Sequence, residues 1–324
     1  MKSEYGGDIK MAQQIYGCMN IGGSWDERPV DEDQRRKAFQ ALDAAFASGF
    51  TFFDHADIYC RGKSEQLFGE YLARHPEIRR ESIGIQSKLG IRFPGDGGDN
   101  EVGRYDFSTD YIMRSVEGIL NRLQTGYLDV LLFHRPDMLT RGEAFGAAVE
   151  RLFSAGMVRR FGVSNHSPAR IEWLQSFCPR PLEINQVEFS LGHRYLIEDE
   201  IHWNQEVPRG GYSGAGSIDR FSAMGVSLQA WSPLARGRFS GAASEDDSAA
   251  IACGQYVSEL ARQQGCSREA VVLAWIRRIP ADIVPVIGSS DPGRIAACAE
   301  MAEVEMSREQ WYRLLVLARG QSLP

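Results

Sequence analysis

Short apolar runs alternate along the chain with longer segments in which apolar residues recur at helical spacing. The runs are "QQIYGCMN", "TFFDHA", "IGIQSKL", "LDVLLFH", "VRRFGVSN", "LEINQVEF", "VSLQAWS" and "IVPVIGS". Their length and their β-branched and aromatic content predict eight strands. The amphipathic spacing predicts helices over about 32–49, 63–74, 108–124, 142–156, 168–177 and 250–265, with two more near 291–301 and 307–319. The connection over 196–224 reads as irregular. Eight strands, most of them followed by a helix, predict an α/β fold of the (β/α)8 TIM-barrel type, with a doubly wound sheet as the alternative. No linker or repeat divides the chain, so residues 1–324 read as one domain. The stretches 206–220 and 235–250 read as mobile loops, either lids over a site or tolerated insertions.

In such a barrel the chemistry gathers where the strands end. Strand two ends near Asp54, strand three at Lys88 and strand four at His134. Strand five ends at Ser164 and Asn165, and strand six passes through Gln186. Strand seven ends at Trp231 and Ser232, strand eight at Gly288 and Ser289. In "TFFDHADIYC" successive side chains alternate between faces, so Asp54 and His55 point apart. That geometry argues against their sharing a metal, and the six histidines include no H-x-H pair. No metal site is expected, and His55 and Asp57 take supporting roles. Asp54, aimed at the barrel mouth, can meet Lys88, and Tyr59 can reach the same spot. A nearby ammonium favours phenolate and is expected to bring the tyrosine down from its usual pKa of about 10. His134 is placed to hydrogen-bond a substrate oxygen. Singly, each side chain has a structural explanation: a strand cap, a solvated end, a core histidine, a packed loop aromatic. Four of them on three adjacent strands point to proton-transfer chemistry.

Composition narrows the classes. The chain has 324 residues, 43% hydrophobic and 24% charged, as in ordinary globular proteins. No apolar run approaches the roughly 20 residues of a membrane helix, and the first residues lack the apolar core of a signal peptide. A soluble, cytoplasmic protein is the expectation. Six scattered cysteines without a C-x-x-C pair read as free thiols. A net charge of −7 argues against general attraction to nucleic acid or an anionic membrane. Any phosphate-bearing ligand therefore needs a local basic pocket. No dinucleotide or P-loop glycine fingerprint is present, and "GDGGDN", 95–100, carries two aspartates and reads as a solvated loop.

Asp54 and Tyr59 in "FDHADIY", Lys88 in "IQSKLG" and His134 in "LLFHRPD" resemble, in order and spacing, the signature of the aldo-keto reductase family. The similarity continues through "FGVSNHSP", "INQVEFS", "LQAWSPLARGR" and "VPVIGSSDPGRI", from about 15 to 300, and is closer to the bacterial branch than to the mammalian steroid or aldose reductases. The resemblance implies NADPH bound in an extended pose across the barrel mouth. It places Ser164, Asn165 and Gln186 on the nicotinamide carboxamide and Trp231 under the nicotinamide ring. It places Ser232, Leu234 and Gly237 along the pyrophosphate, and Ser289 and Arg294 on the adenosine 2′-phosphate. Gly288 stands where the family often has a lysine, and Ala297 and Cys298 replace a frequent Glu-Asn pair at the adenine. NADPH remains favoured and NADH is possible. Cys60 stands where a glycine is common. The implied reaction is reduction of an aldehyde or ketone, a small-molecule carbonyl substrate. Tyr59 is then the general acid, with His134 beside it in the oxyanion hole. A second reading is an NADP(H)-binding regulatory subunit with little turnover. A third, a metal-dependent barrel hydrolase, draws little support from the residues.

Overall fold

The computed structural model describes residues 13–96, 102–202 and 217–324. Eight parallel strands form the frame: β1 (Ile15–Gly17), β2 (Phe52–Asp54), β3 (Gly84–Leu89), β4 (Leu128–Phe133), β5 (Val158–Ser164), β6 (Leu182–Glu188), β7 (Ser227–Trp231) and β8 (Val284–Ile287). Each pairs with its chain neighbours, and β8 returns to β1 with Val286 opposite Ile15, closing the barrel. Closure excludes the doubly wound alternative, which would leave two sheet edges. Each of the eight apolar runs holds one strand.

The alternation within β2 shows how the sequence builds two cores at once. Phe52 points inward and packs with Val130, Leu132, Ile184, Val284 and Val286. Phe53 points outward, against Phe46 at 4.7 Å and Phe68 at 4.9 Å between ring centroids, in the larger core between strands and helices. Asp54 then points inward and His55 outward, where its ring lies 4.6 Å from Phe68. The opposite facing expected of Asp54 and His55 is therefore present.

All eight expected helices form, within a few residues of the expected limits, and local chemistry sets their ends. Asp31, Ser167, Asp247, Asp291 and Ser307 each accept a backbone N–H at a helix start. Gly265 and Gly320, both at φ +68°, turn the chain out of the helices before them. Three further helices depart from the expectation. Arg268–Arg277 is buried on every side from Ala270 to Ile276, so it lacks the one-sided stripe that marks an amphipathic helix. Tyr195–Ile201 and Ser217–Ala223 are two-turn helices in the stretch expected to be irregular. Residues 206–216 of the first expected loop, and 97–100 of "GDGGDN", lie outside the described residues. The second, 235–250, begins with a 3-10 turn at Ala235–Gly237 and ends in the helix starting at Ser248, tied across by an Arg238–Asp247 ion pair at 2.5 Å. All six cysteines are free. Among the described residues no helix is long and apolar enough to cross a membrane.

Candidate active site

The inward positions at the C-terminal ends of β2, β3, β6 and β7 are polar and almost fully buried. Lys88, 1% exposed, donates to both oxygens of Asp54, at 2.8 and 2.7 Å, and to the His55 carbonyl at 2.7 Å. Asp54 Oδ1 also accepts from Gln86 Nε2 at 2.6 Å and Gln186 Nε2 at 3.0 Å. Gln86 and Gln229 exchange reciprocal amide bonds of 2.9 and 3.0 Å, and Gln186 Nε2 joins Gln229 at 2.9 Å. Register explains the convergence. Asp54 lies opposite Gln86 across β2 and β3, and Gln186 opposite Gln229 across β6 and β7. The buried carboxylate thus meets an ammonium and two amides, the partners that a buried polar group needs.

Tyr59 follows β2 by five residues. Cys60 and Arg61, at φ +49° and +60°, and Gly62, at φ +82°, turn the chain sharply just after it. Its ring lies beneath the Lys88 ammonium, 4.6 Å from Nζ to the centroid, and 6.1 Å from the His134 ring at 82°. Trp25 meets it edge-on at 6.4 Å.

The electrostatics correct one expectation. Tyr59 is pushed up to about 12, not down: burial raises it, Lys88 only partly offsets that, and Asp54 opposes Lys88. The ammonium does pull in the expected direction, but removing the phenol from water outweighs it. Burial works against the Lys88 charge, yet the attraction of Asp54 and Tyr59 prevails and its pKa is raised. His134 is held well below the usual range by burial, then by Lys88 and Arg135, so it is neutral. Its Nδ1 is buried without a partner, which leaves Nε2 as the nitrogen that can face a ligand.

A cleft of about 960 Å³ opens above this group. Every residue assigned in the sequence to catalysis or to the cofactor lines it except Lys88, which lies buried against Asp54 and Tyr59. Ser164 donates to the Gln186 carbonyl at 2.8 Å, and Asn165, left-handed at φ +60°, accepts the Trp231 indole N–H at 3.0 Å. Asn165 thereby fixes the plane of the half-buried Trp231. With the Gln186 amide nitrogen committed to Asp54 and Gln229, its carbonyl oxygen is the group left for a ligand. Ser232, Leu234 and Gly237, in the segment after β7, and Gly288, Ser289 and Arg294, after β8, also line the cleft. The Gly288 carbonyl accepts from Asn20 Nδ2 at 2.7 Å, and the Ser289 carbonyl from Tyr16 Oη at 3.0 Å.

The sequence model of the aldo/keto reductase family matches residues 15–317. The chain belongs to the aldo/keto reductase family. It is similar to the oxidoreductase YdhF of Escherichia coli, 36% identical with 85% of each chain covered. It is likewise similar to a 6-dehydroglucose reductase of Agrobacterium fabrum, 32% identical with 97% of each covered. Among solved structures, a glycerol dehydrogenase from Gluconobacter oxydans superposes with a TM-score of 0.79 over 96% of this chain and 93% of that one. At 20% identity this last is a likeness of fold. As an aldo/keto reductase, the protein is an oxidoreductase of a family that generally binds a nicotinamide cofactor and acts on small carbonyl substrates.

Several cleft and floor residues were missed in the sequence. Gln86 and Gln229 share a face with Lys88 and Trp231 by simple alternation, a signal that was there to be read. Arg236 and Arg268 also line the cleft, near Arg294. Arg236 lies in a turn at φ +57°. Arg268 opens the buried helix that the periodicity hid, and its guanidinium lies against Gly241, under 3 Å from where a Cβ would stand.

Proposed function

We propose that this aldo/keto reductase is an NADPH-dependent carbonyl reductase in which Tyr59 protonates the reduced oxygen. The observation that carries the reading is the meeting of Tyr59, Lys88, Asp54 and His134 at the floor of a cleft that Arg236, Arg268 and Arg294 also line. The cleft suits a long polyanionic cofactor: arginines line it, and so does the half-buried Trp231 indole, with the Asn165 amide beside it. Ser164, Asn165 and Gln186 would hold the carboxamide, and Ser232, Leu234 and Gly237 the pyrophosphate. Ser289 and Arg294 would hold the 2′-phosphate. When bound, NADPH supplies the hydride that reaches the carbonyl carbon.

The chain's own residues handle the oxygen. Tyr59 Oη and the His134 Nε2–H donate to the substrate carbonyl and follow it as negative charge builds. A phenol at about 12 is fully protonated at neutral pH, hence in the donor form. It is still a stronger acid than an alcohol, whose pKa lies near that of water, about 15.7, so the transfer runs downhill. Lys88 stabilises the phenolate left behind, and Asp54, held by two glutamine amides, keeps the lysine charged and aimed.

Tyr59→Phe tests the assignment. General acid catalysis is worth about 10²–10⁴-fold, so reduction of a generic aldehyde should fall at least that far. NADPH affinity, read by tryptophan fluorescence, should stay within about threefold, since the hydroxyl is absent from the proposed cofactor contacts. Retained turnover would remove Tyr59 from the role. A wild-type protein that binds NADPH but turns over no aldehyde or quinone would favour the regulatory-subunit reading.

A further inference from the structure

The residue after His134 is an arginine that the reaction as described leaves unused. Arg135 is half-buried and lines the cleft, and among the described residues no hydrogen bond, ion pair or ring contact engages its guanidinium. The acid nearest in sequence is committed elsewhere. Asp137 Oδ1 accepts from the Leu139 amide at 2.9 Å and Oδ2 from the Phe107 amide at 2.9 Å. Arg170, one helix away, donates to the Asp137 carbonyl at 2.6 Å, stacks on Trp173 at 4.3 Å and brings no negative charge either. Arg135 is close enough to His134 and His166 for its charge to bear on both imidazoles. The cleft is also lined by the apolar side chains of Met19, Trp25, Ile58 and Ile91, alongside Asp54, Asn165 and Trp231. A cation with no counter-ion among the described residues, lining the cleft one residue from the imidazole proposed to bind the carbonyl, is a built position for an anionic group.

We propose that Arg135 is the specificity-determining residue of the substrate pocket, and that the substrate is a carbonyl compound bearing a carboxylate. The guanidinium forks onto the carboxylate while the carbonyl oxygen lies between Tyr59 and His134. A planar pair of N–H donors matches the two carboxylate oxygens, and the pairing supplies a counter-ion to a cation that has none among the described residues. This rests on the reductase reading above, which supplies the carbonyl end.

Matched acid and ester pairs test it: 4-carboxybenzaldehyde against methyl 4-formylbenzoate, and succinic semialdehyde against its methyl ester. Charged hydrogen bonds of this kind contribute about 10–100-fold. In at least one pair, wild-type kcat/KM should favour the acid by that factor. In Arg135→Ala the acid-to-ester ratio should collapse towards one, and Arg135→Lys should recover part of it. Equal use of acid and ester by wild type overturns the proposal. So does a fall in both substrates together in Arg135→Ala, which is what a merely structural arginine would give. Binding of 4-(hydroxymethyl)benzoate with NADP present, followed by tryptophan fluorescence, reads the same contact without turnover. Arg135→Ala should weaken it at least tenfold, and unchanged affinity overturns the proposal. Carboxylate binding that depends on Arg135 in a protein that reduces none of the four aldehydes would support the contact and count instead against the reductase reading.

Discussion

Asp57 stands two residues before Tyr59, and only one of its carboxylate oxygens has a clear partner. Oδ2 accepts from Tyr111 Oη at 3.2 Å, while Oδ1 is buried without a partner. Burial, then the charge of Glu65, pushes its pKa up to about 8. An unfolded aspartate titrates near 3.9. The folded state therefore binds the proton more tightly, and wild-type stability is eroded as pH climbs from about 4, the loss levelling off above about 8. Asp57→Asn keeps the shape and never ionises. Its melting temperature relative to wild type should rise between pH 5 and pH 8, by about 2 °C or more. An offset that does not change with pH would show that Asp57 is ionised throughout that range. The facing of Asp54 and His55 was legible because strand alternation is a local rule. The upward shift of Tyr59 was not, because it depends on how completely the fold encloses the phenol, and no neighbour in sequence reports that.

At the scale of elements, what could be read is what carries a period. Strands with apolar runs and helices with one wet face declare themselves. The helix Arg268–Arg277 does not, because its surroundings are protein on every side. One of its contacts is a specific one, with the C-terminal helix Arg308–Arg319. Trp275 and Trp311 stack at 5.1 Å with an interplanar angle of 6°, and each indole N–H donates to the other's backbone carbonyl, at 3.2 and 2.9 Å. This clasp ties down the helix whose first residue, Arg268, lines the cleft. Trp275→Phe preserves most of the buried ring but leaves the Trp311 carbonyl without that donor. A lost buried hydrogen bond of this kind costs about 1–3 kcal/mol, to be read by urea unfolding. The folded variant should keep its aldehyde reductase activity, because Trp275 does not line the cleft. A stability change under about 0.5 kcal/mol would mean that the reciprocal bonds add nothing to the stacking.

Across the whole molecule the charge is −7, yet Arg236, Arg268 and Arg294 all line the cleft, with Glu269 and Asp291 the acids near them in sequence. An acidic protein that binds a polyanion must concentrate its cations where the phosphates go, because the long-range field repels them. That bears on Gly288, which stands where the family often places a lysine. The resemblance alone left the preference for NADPH over NADH resting on Ser289 and Arg294. In the proposed cofactor site Arg236 and Arg268 would supply the missing positive charge from two other elements, a tight turn and a helix start. No alignment of motifs along the strands would place them there. None of the three is paired with a carboxylate among the described residues, so each is free to meet a phosphate. NADPH differs from NADH only by the 2′-phosphate, so the two cofactors isolate that contact. Arg268→Ala or Arg294→Ala should weaken NADPH about 10–100-fold and NADH less than about threefold, both measured by tryptophan quenching. Raising the salt from about 0.05 to 0.5 M, which shortens the screening length severalfold, should narrow the wild-type preference in the same direction. Equal losses for both cofactors would place the arginines on the pyrophosphate that the two share. With Gly288 in the lysine's place, NADPH would then have only Ser289 to distinguish it.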